Sequence, residues 1–173
     1  MSRQKPVVGI VVGSMSDRTM MDAAADMLQR FGVSHEVRTL PRQPDAIHRY
    51  ARTAASRGLQ VLIAGSPGHA RLAEELAAQT TLPVISVPIA TGGANTLSHL
   101  LGKVQPRHSI PIAMVAINNA ANGALLAIQC LALADRRLQQ ALVDHKRQLA
   151  ASTHQADRAL PRSFDSGSTR GAP

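Results

Sequence analysis

The hydrophobic pattern alternates between two periods along the chain. Residues 7–12 read Val-Val-Gly-Ile-Val-Val, a run too short for a helix and suited to a strand buried on both faces. Beyond Asp17 the spacing becomes helical, with Met20, Ala24, Met27, Leu28 and Phe31 on one side and Gly32 as the C-cap. Residues 35–39 predict a second strand, and the closely spaced Pro41 and Pro44 force an extended loop after it. Pro44 opens the next helix, with Ile47, Tyr50, Ala51 and Ala54 as its buried face and Gly58 as its stop. Residues 61–64 predict a short buried strand, followed by a glycine-containing turn and a helix holding Leu72 and Leu76. Residues 83–87 predict the fourth strand, with Pro88 just after it, and residues 112–117 the fifth. Between them, residues 96–102 predict a short helix carrying Leu97, Leu100 and Leu101. A long Ala- and Leu-rich helix opens at residues 118–123 and runs to about Leu133; a last helix covers 135–151.

Strands alternating with helices predict a single α/β domain over residues 1–151, with a parallel sheet covered on both faces. Ligands gather at the carboxyl ends of such strands, so the loops at 14–17, 40–45, 65–71, 88–95 and 118–123 are expected to share one rim. From Ser152 the apolar periodicity lapses, and Ser, Thr, Gly and Arg dominate. Residues 152–173 are expected to form a flexible tail, ordered only where a neighbouring subunit holds it.

Composition narrows the ligand. Hydrophobic residues make up 45% but aromatics only 2%, so the core must be built from Ala, Val, Ile, Leu and Met. The formal charge of +8, from 19 Lys+Arg against 11 Asp+Glu, favours anionic ligands. Stacking aromatics are scarce and no dense basic run appears, which points to a small phosphorylated metabolite and away from nucleic acid. The lone Cys130 allows no internal disulfide and no zinc cluster, and His35, His48, His99, His108, His145 and His154 show no metal spacing. The apolar run near the N-terminus is too short for a signal h-region or a membrane span, so a cytoplasmic, soluble protein is the expectation.

The candidate chemistry starts at Gly13-Ser14-Met15-Ser16-Asp17, where a buried strand turns through glycine into a helix. Unpaired backbone N–H groups at a helix start favour an anion. Ser14 and Ser16 can add hydroxyl donors, and Asp17 can accept from a sugar hydroxyl. The same residues also fit a plain helix cap through Ser16 or Asp17, and spacing alone leaves both readings open.

These residues resemble the Gly-Ser-x-Ser-Asp signature of the N5-carboxyaminoimidazole ribonucleotide mutases and the related aminoimidazole ribonucleotide carboxylases. The resemblance continues through Ile63-Ala64-Gly65, Leu82-Pro83-Val84-Ile85-Ser86-Val87-Pro88 and Ala116-Ile117 to Asn122-Gly123-Ala124-Leu125-Leu126-Ala127. It implies a flavodoxin-like three-layer sandwich with a helical C-terminal segment, assembled as a homo-octamer. It also implies carboxyl transfer on a 5-aminoimidazole ribonucleotide in purine biosynthesis, with CO2 as a transient partner and without metal or organic cofactor. Carried over by position, Ser14, Ser16 and Asp17 would hold phosphate and ribose, and Arg42 would be the phosphate's ionic partner. An Arg suits that role because its planar fork gives paired charge-assisted hydrogen bonds.

The departures from the family pattern fall on the chemistry. Where the family has Ser-Ala-His-Arg-Thr-Pro, this chain has Thr39-Leu40-Pro41-Arg42-Gln43-Pro44, so Pro41 stands at the catalytic histidine. The family's glycine-rich loop is here Gly65-Ser66-Pro67-Gly68-His69-Ala70-Arg71-Leu72, with Arg71 at a second family histidine and His69 where an alanine is usual. Carboxyl transfer needs a group that exchanges a proton near neutral pH, which proline cannot do. His69 is therefore the candidate acid/base, with helix capping as its plain alternative, and Ser66, Gly68 and Arg71 are the candidate substrate contacts on the same loop. Arg71 could receive an extra anionic group of a different substrate, or pair with Glu74 or Glu75. Loss of the orthodox histidine also allows a binding protein that has given up mutase chemistry.

Overall fold

The structure is a computed structural model that describes residues 5–41, 43–67, 71–90 and 110–159, with side chains as far as Ser152. Among the described residues five strands form one sheet: β1 Val8–Val12, β2 His35–Thr39, β3 Val61–Pro67, β4 Val84–Ile89 and β5 Ala113–Met114. The order is β2-β1-β3-β4-β5 and every pairing is parallel. The described helices are α1 Met15–Met20, α2 Asp22–Arg30, α3 Pro44–Ala54, α4 Arg71–Ala77, α5 Ala120–Ala132 and α6 Arg136–Ala159.

Alternate strand residues face alternate layers, so one sheet yields two cores. Val8, Ile10, Val12, Val61, Ile63, Ile85 and Val87 pack with Met21, Leu28, Ala124 and Ile128 beneath α2 and α5. Val11, Leu62, Ala64 and Val84 pack with Ile47, Tyr50, Leu72 and Leu76 beneath α3 and α4. The result is the three-layer, flavodoxin-like α/β arrangement, built almost wholly from aliphatic side chains.

Boundaries differ from the sequence reading at several places, each for a local reason. β3 continues past Ala64 because Gly65, Ser66 and Pro67 pair with Val87, Pro88 and Ile89 of β4. Pro88 lies inside β4, not after it; it lacks an N–H, but its carbonyl accepts the Asn118 N–H at 2.8 Å. β5 is only two residues long, and beyond it single hydrogen bonds such as Val115 N–H to Ser86 O (3.1 Å) keep the chain against β4. The last helix passes the expected end at Ala151 and runs to Ala159, with the Ser152 hydroxyl donating to the Gln148 carbonyl at 2.9 Å. The predicted helix at residues 96–102 lies outside the described residues.

The first helical segment carries the largest correction. It begins at Met15 and breaks at Met21, whose backbone (φ −98°, ψ −1°) separates α1 from α2. That slip exchanges neighbours: Met20, expected in the core, is 40% exposed, and Met21 is 1% exposed. Gly32 and Gly58 end their helical segments with φ of +65° and +99°, conformations for which glycine has no Cβ penalty.

The edge strand β2 is fastened by a polar cluster that periodicity alone did not foreshadow. Glu36 Oε1 accepts from Tyr50 Oη at 2.9 Å and from Arg57 Nη1 at 2.7 Å, while Oε2 accepts from Arg38. The Arg57 guanidinium lies 4.5 Å from the centre of the Tyr50 ring. Burial alone would raise the Glu36 pKa, but the hydrogen bonds from Arg57, Tyr50 and Arg38 together hold it below the usual glutamate range. Burial, and then the neighbouring Glu36 charge, push the Tyr50 phenol well above its ordinary value.

Candidate active site

In a sheet of order 2-1-3-4-5 the connections leave β1 and β3 toward opposite faces, and a crevice opens between their carboxyl ends. A cleft of about 310 Å³ occupies that position. Gly13 follows β1, Leu40 follows β2, and Ser66 and Pro67 close β3; Pro44 and Ile47 of α3 and Leu72 of α4 form the apolar walls. Arg71 and Glu75, also of α4, face one another on the lining, with Arg71 Nε 3.0 Å from Glu75 Oε1. Segments distant in sequence thus converge because parallel strands all deliver their carboxyl ends to one edge.

The predicted site residues separate into three groups. Ser66 and Arg71 line the cleft, and Ser66 is 8% exposed. Ser14 and Ser16 stand on α1 directly after Gly13, their hydroxyls 2.9 Å apart. Asp17 is 4% exposed, and its Oδ2 is buried without a hydrogen-bond partner among the described residues. Arg42, Gly68 and His69 lie outside the described residues. Pro41 is exposed.

The capping question has a definite answer. Ser14, not Ser16 or Asp17, is the N-cap of α1: its Oγ accepts the Asp17 N–H at 3.3 Å while its backbone stays extended (φ −152°, ψ 166°). Capping and ligand binding are compatible here, because a hydroxyl that accepts one N–H keeps its own proton to donate. Asn118 and Asn119 perform similar work on the neighbouring connection. Asn118 takes φ 57° and accepts the Ala90 N–H at Oδ1 (2.8 Å), and Asn119 caps α5 by accepting from Asn122 N–H at 3.2 Å.

Sequence reading left Glu75 as one possible partner of Arg71 and did not place it in the cleft. The signal was available: Arg71 and Glu75 are four apart on one helix, so whatever wall carries one carries the other. Of the two glutamates, Glu75 is the one that pairs with Arg71; Glu74 makes no ion pair among the described residues. Among the described residues no cluster of three or more His, Cys, Asp or Glu could hold a metal ion, and no helix is long and apolar enough to cross a membrane.

Comparison with known proteins gives this geometry a context. Residues 7–152 match the family model described as AIR carboxylase. The N5-carboxyaminoimidazole ribonucleotide mutase of Aquifex aeolicus is 45% identical over 131 residues, covering 75% of this chain and 78% of that protein. The enzyme of the same name from Mycobacterium tuberculosis is 41% identical over 161 residues, covering 92% of each chain. The crystal structure of Treponema denticola PurE superposes with a TM-score of 0.78 at 19% identity, covering 91% of this chain and 99% of that one, which supports the fold. A family model that spans nearly all the α/β layers, together with relatives of this identity and coverage, leads to one conclusion: the chain belongs to the AIR carboxylase family.

Proposed function

We propose that this protein catalyses carboxyl transfer on a 5-aminoimidazole ribonucleotide, or a close phosphorylated analogue, in the cleft above β1 and β3. The observation that carries the reading is the meeting of Gly13, Ser66 and Arg71 in one cleft at the crevice of the sheet, in a chain whose relatives are named for this chemistry. Ser14, Ser16, Asp17 and Arg42 hold the ribose phosphate, and Ser66 and Gly68 approach the ring. In the mutase direction the N–C bond of the carbamate breaks and CO2 is released. CO2 then forms a bond to ring carbon C4, and the proton of C4 leaves. The apolar walls from Leu40, Ile47 and Leu72 suit a step in which CO2 must not escape into water. His69 accepts and returns the proton, since Pro41 has no group to do so. Arg71, released from Glu75, offers a cation to the migrating carboxylate.

The reading extends to a cytoplasmic homo-octamer, in which residues 1–151 form the catalytic domain and the segment from Ser152 is held by a neighbouring subunit. Incubation with N5-carboxyaminoimidazole ribonucleotide, followed by ring absorbance, tests the activity: conversion to the C4-carboxylated product is expected. Binding without turnover would leave a second reading, a ribonucleotide-binding member of the family that no longer performs the reaction. Pro41 at the catalytic histidine's position is the specific feature that favours that alternative.

A further inference from the structure

Gly65 sits near the carboxyl end of β3, paired on one side with Val12 of β1 and on the other with Val87 of β4. A Cβ built on it would lie 2.6 Å from Met21 Sδ and 2.7 Å from Met21 Cγ, closer than any side chain tolerates. The missing side chain is therefore the seat of the thioether of Met21, a residue that is 1% exposed. Met21 ends α1, its N–H bonded to the Arg18 carbonyl at 2.8 Å. Asp17 lies four residues earlier, which on a helical turn places it on the same face. It is likewise buried, at 4% exposure, with Oδ2 lacking a partner among the described residues.

A buried carboxylate oxygen without a hydrogen bond is unfavourable, and on its own the short α1 segment would relieve this by turning Asp17 into water. A six-residue helix has little intrinsic stability to resist that rotation. We propose that Met21, seated on Gly65, is a positioning residue: its packing fixes the rotation of α1, keeps Asp17 turned inward and thereby fixes Ser14 and Ser16 beside the cleft. Methionine suits the role because its flexible, polarizable chain fills an irregular gap, and glycine is required opposite because any Cβ would displace it. The effect on substrate rests on the functional reading above; the effect on α1 does not.

The test compares the full-length wild-type protein with Gly65→Ala, with Gly65→Ala/Met21→Ala and with Leu138→Ala, a control in the core at the opposite edge of the sheet. Two quantities are measured: amide hydrogen exchange, and turnover of N5-carboxyaminoimidazole ribonucleotide. In Gly65→Ala, exchange at the Asp17 and Met21 amides is expected to quicken about tenfold or more while that of β1 changes little. KM is expected to rise about tenfold with kcat nearly unchanged. The double substitution removes the overlap but also the seated thioether, so exchange and KM stay raised as in Gly65→Ala, and Leu138→Ala lowers stability without raising KM. Unchanged exchange in Gly65→Ala, recovery of both quantities in the double variant, or an equal KM rise in Leu138→Ala would overturn the positioning role. A wild-type protein that neither binds nor converts the ribonucleotide overturns the functional reading instead, and the exchange rates then decide the α1 contact alone.

Discussion

Tyr50 and Glu36 meet over a residue that has no side chain. Tyr50 Oη donates to Glu36 Oε1 at 2.9 Å, and Gly9, the β1 partner of Glu36 in the ladder, would direct a Cβ into that hydroxyl. One glycine in the first strand thus leaves room for the bond that fastens α3 over the sheet edge. Because α3 also carries Pro44 and Ile47 to the cleft, this distant contact helps to set one wall of the site.

Removing the phenolic hydroxyl with Tyr50→Phe is expected to cost about 1.5–3 kcal/mol, the usual worth of a hydrogen bond to a charged acceptor. Glu36 keeps its two arginine partners, so the protein still folds. Urea denaturation should show a lower midpoint with the same slope.

Gly9→Ala should destabilise by about 1–3 kcal/mol through overpacking, since the added methyl also meets Leu62 Cδ2 at 3.0 Å and Leu59 Cδ1 at 3.2 Å. Combined with Tyr50→Phe the losses should be less than additive, because the phenylalanine removes the group that the methyl strikes. A double-mutant cycle of unfolding free energies measures this.

The pH dependence of stability should have two limbs from this cluster. Glu36 has a lowered pKa when folded, so its contribution is full above the unfolded glutamate value of about 4.5 and is lost as pH falls through the folded value. Tyr50 has a raised pKa, so its contribution is full below about 10 and is lost as pH rises beyond it. Glu36→Gln should flatten the acid limb of a stability–pH curve, and Tyr50→Phe the alkaline one.

Ser14→Ala removes the N-cap of α1 and should cost about 1 kcal/mol. If Ser14 also holds phosphate, KM should rise by more than the loss of stability explains, while Thr at this position restores the cap and most of the affinity. Calorimetric unfolding and steady-state kinetics on the two variants separate the roles.

His69→Asn should lower kcat by about a hundredfold or more with ribonucleotide binding little changed, the loss expected for a proton-transfer group. Unchanged kcat would remove His69 from the chemistry. Pro41→His, which supplies the histidine that the sequence resemblance implies at this position, should then raise mutase turnover.

The strands were legible because fully buried parallel strands leave continuous apolar runs, as in residues 7–12 and 61–64. The caps at Gly32 and Gly58 were legible because few residues other than glycine adopt a positive φ. Met20 and Met21 were not separable, since one irregular backbone at the α1–α2 junction shifts the helical phase by a residue. Glu36 was not legible either: a single acidic residue in an edge strand gives no hint of a tyrosine and an arginine arriving from α3 and the segment after it. At the candidate site, spacing alone leaves the serine–aspartate cluster open between cap and ligand, and the Ser66–Arg71 loop follows from the family resemblance. The N-cap assignment to Ser14, the burial of Asp17 and the place of Glu75 in the cleft required coordinates.

Sequence by itself determined the alternation of strand and helix, the aliphatic core and the family signature, because each of these is written in neighbouring residues and their period. Tertiary structure decided which loops share a cleft, which methionine is buried and which carboxylate finds cations. Those outcomes depend on strand order and on the phase of each helix against the sheet, and residues brought together across dozens of positions leave no periodic trace in the chain.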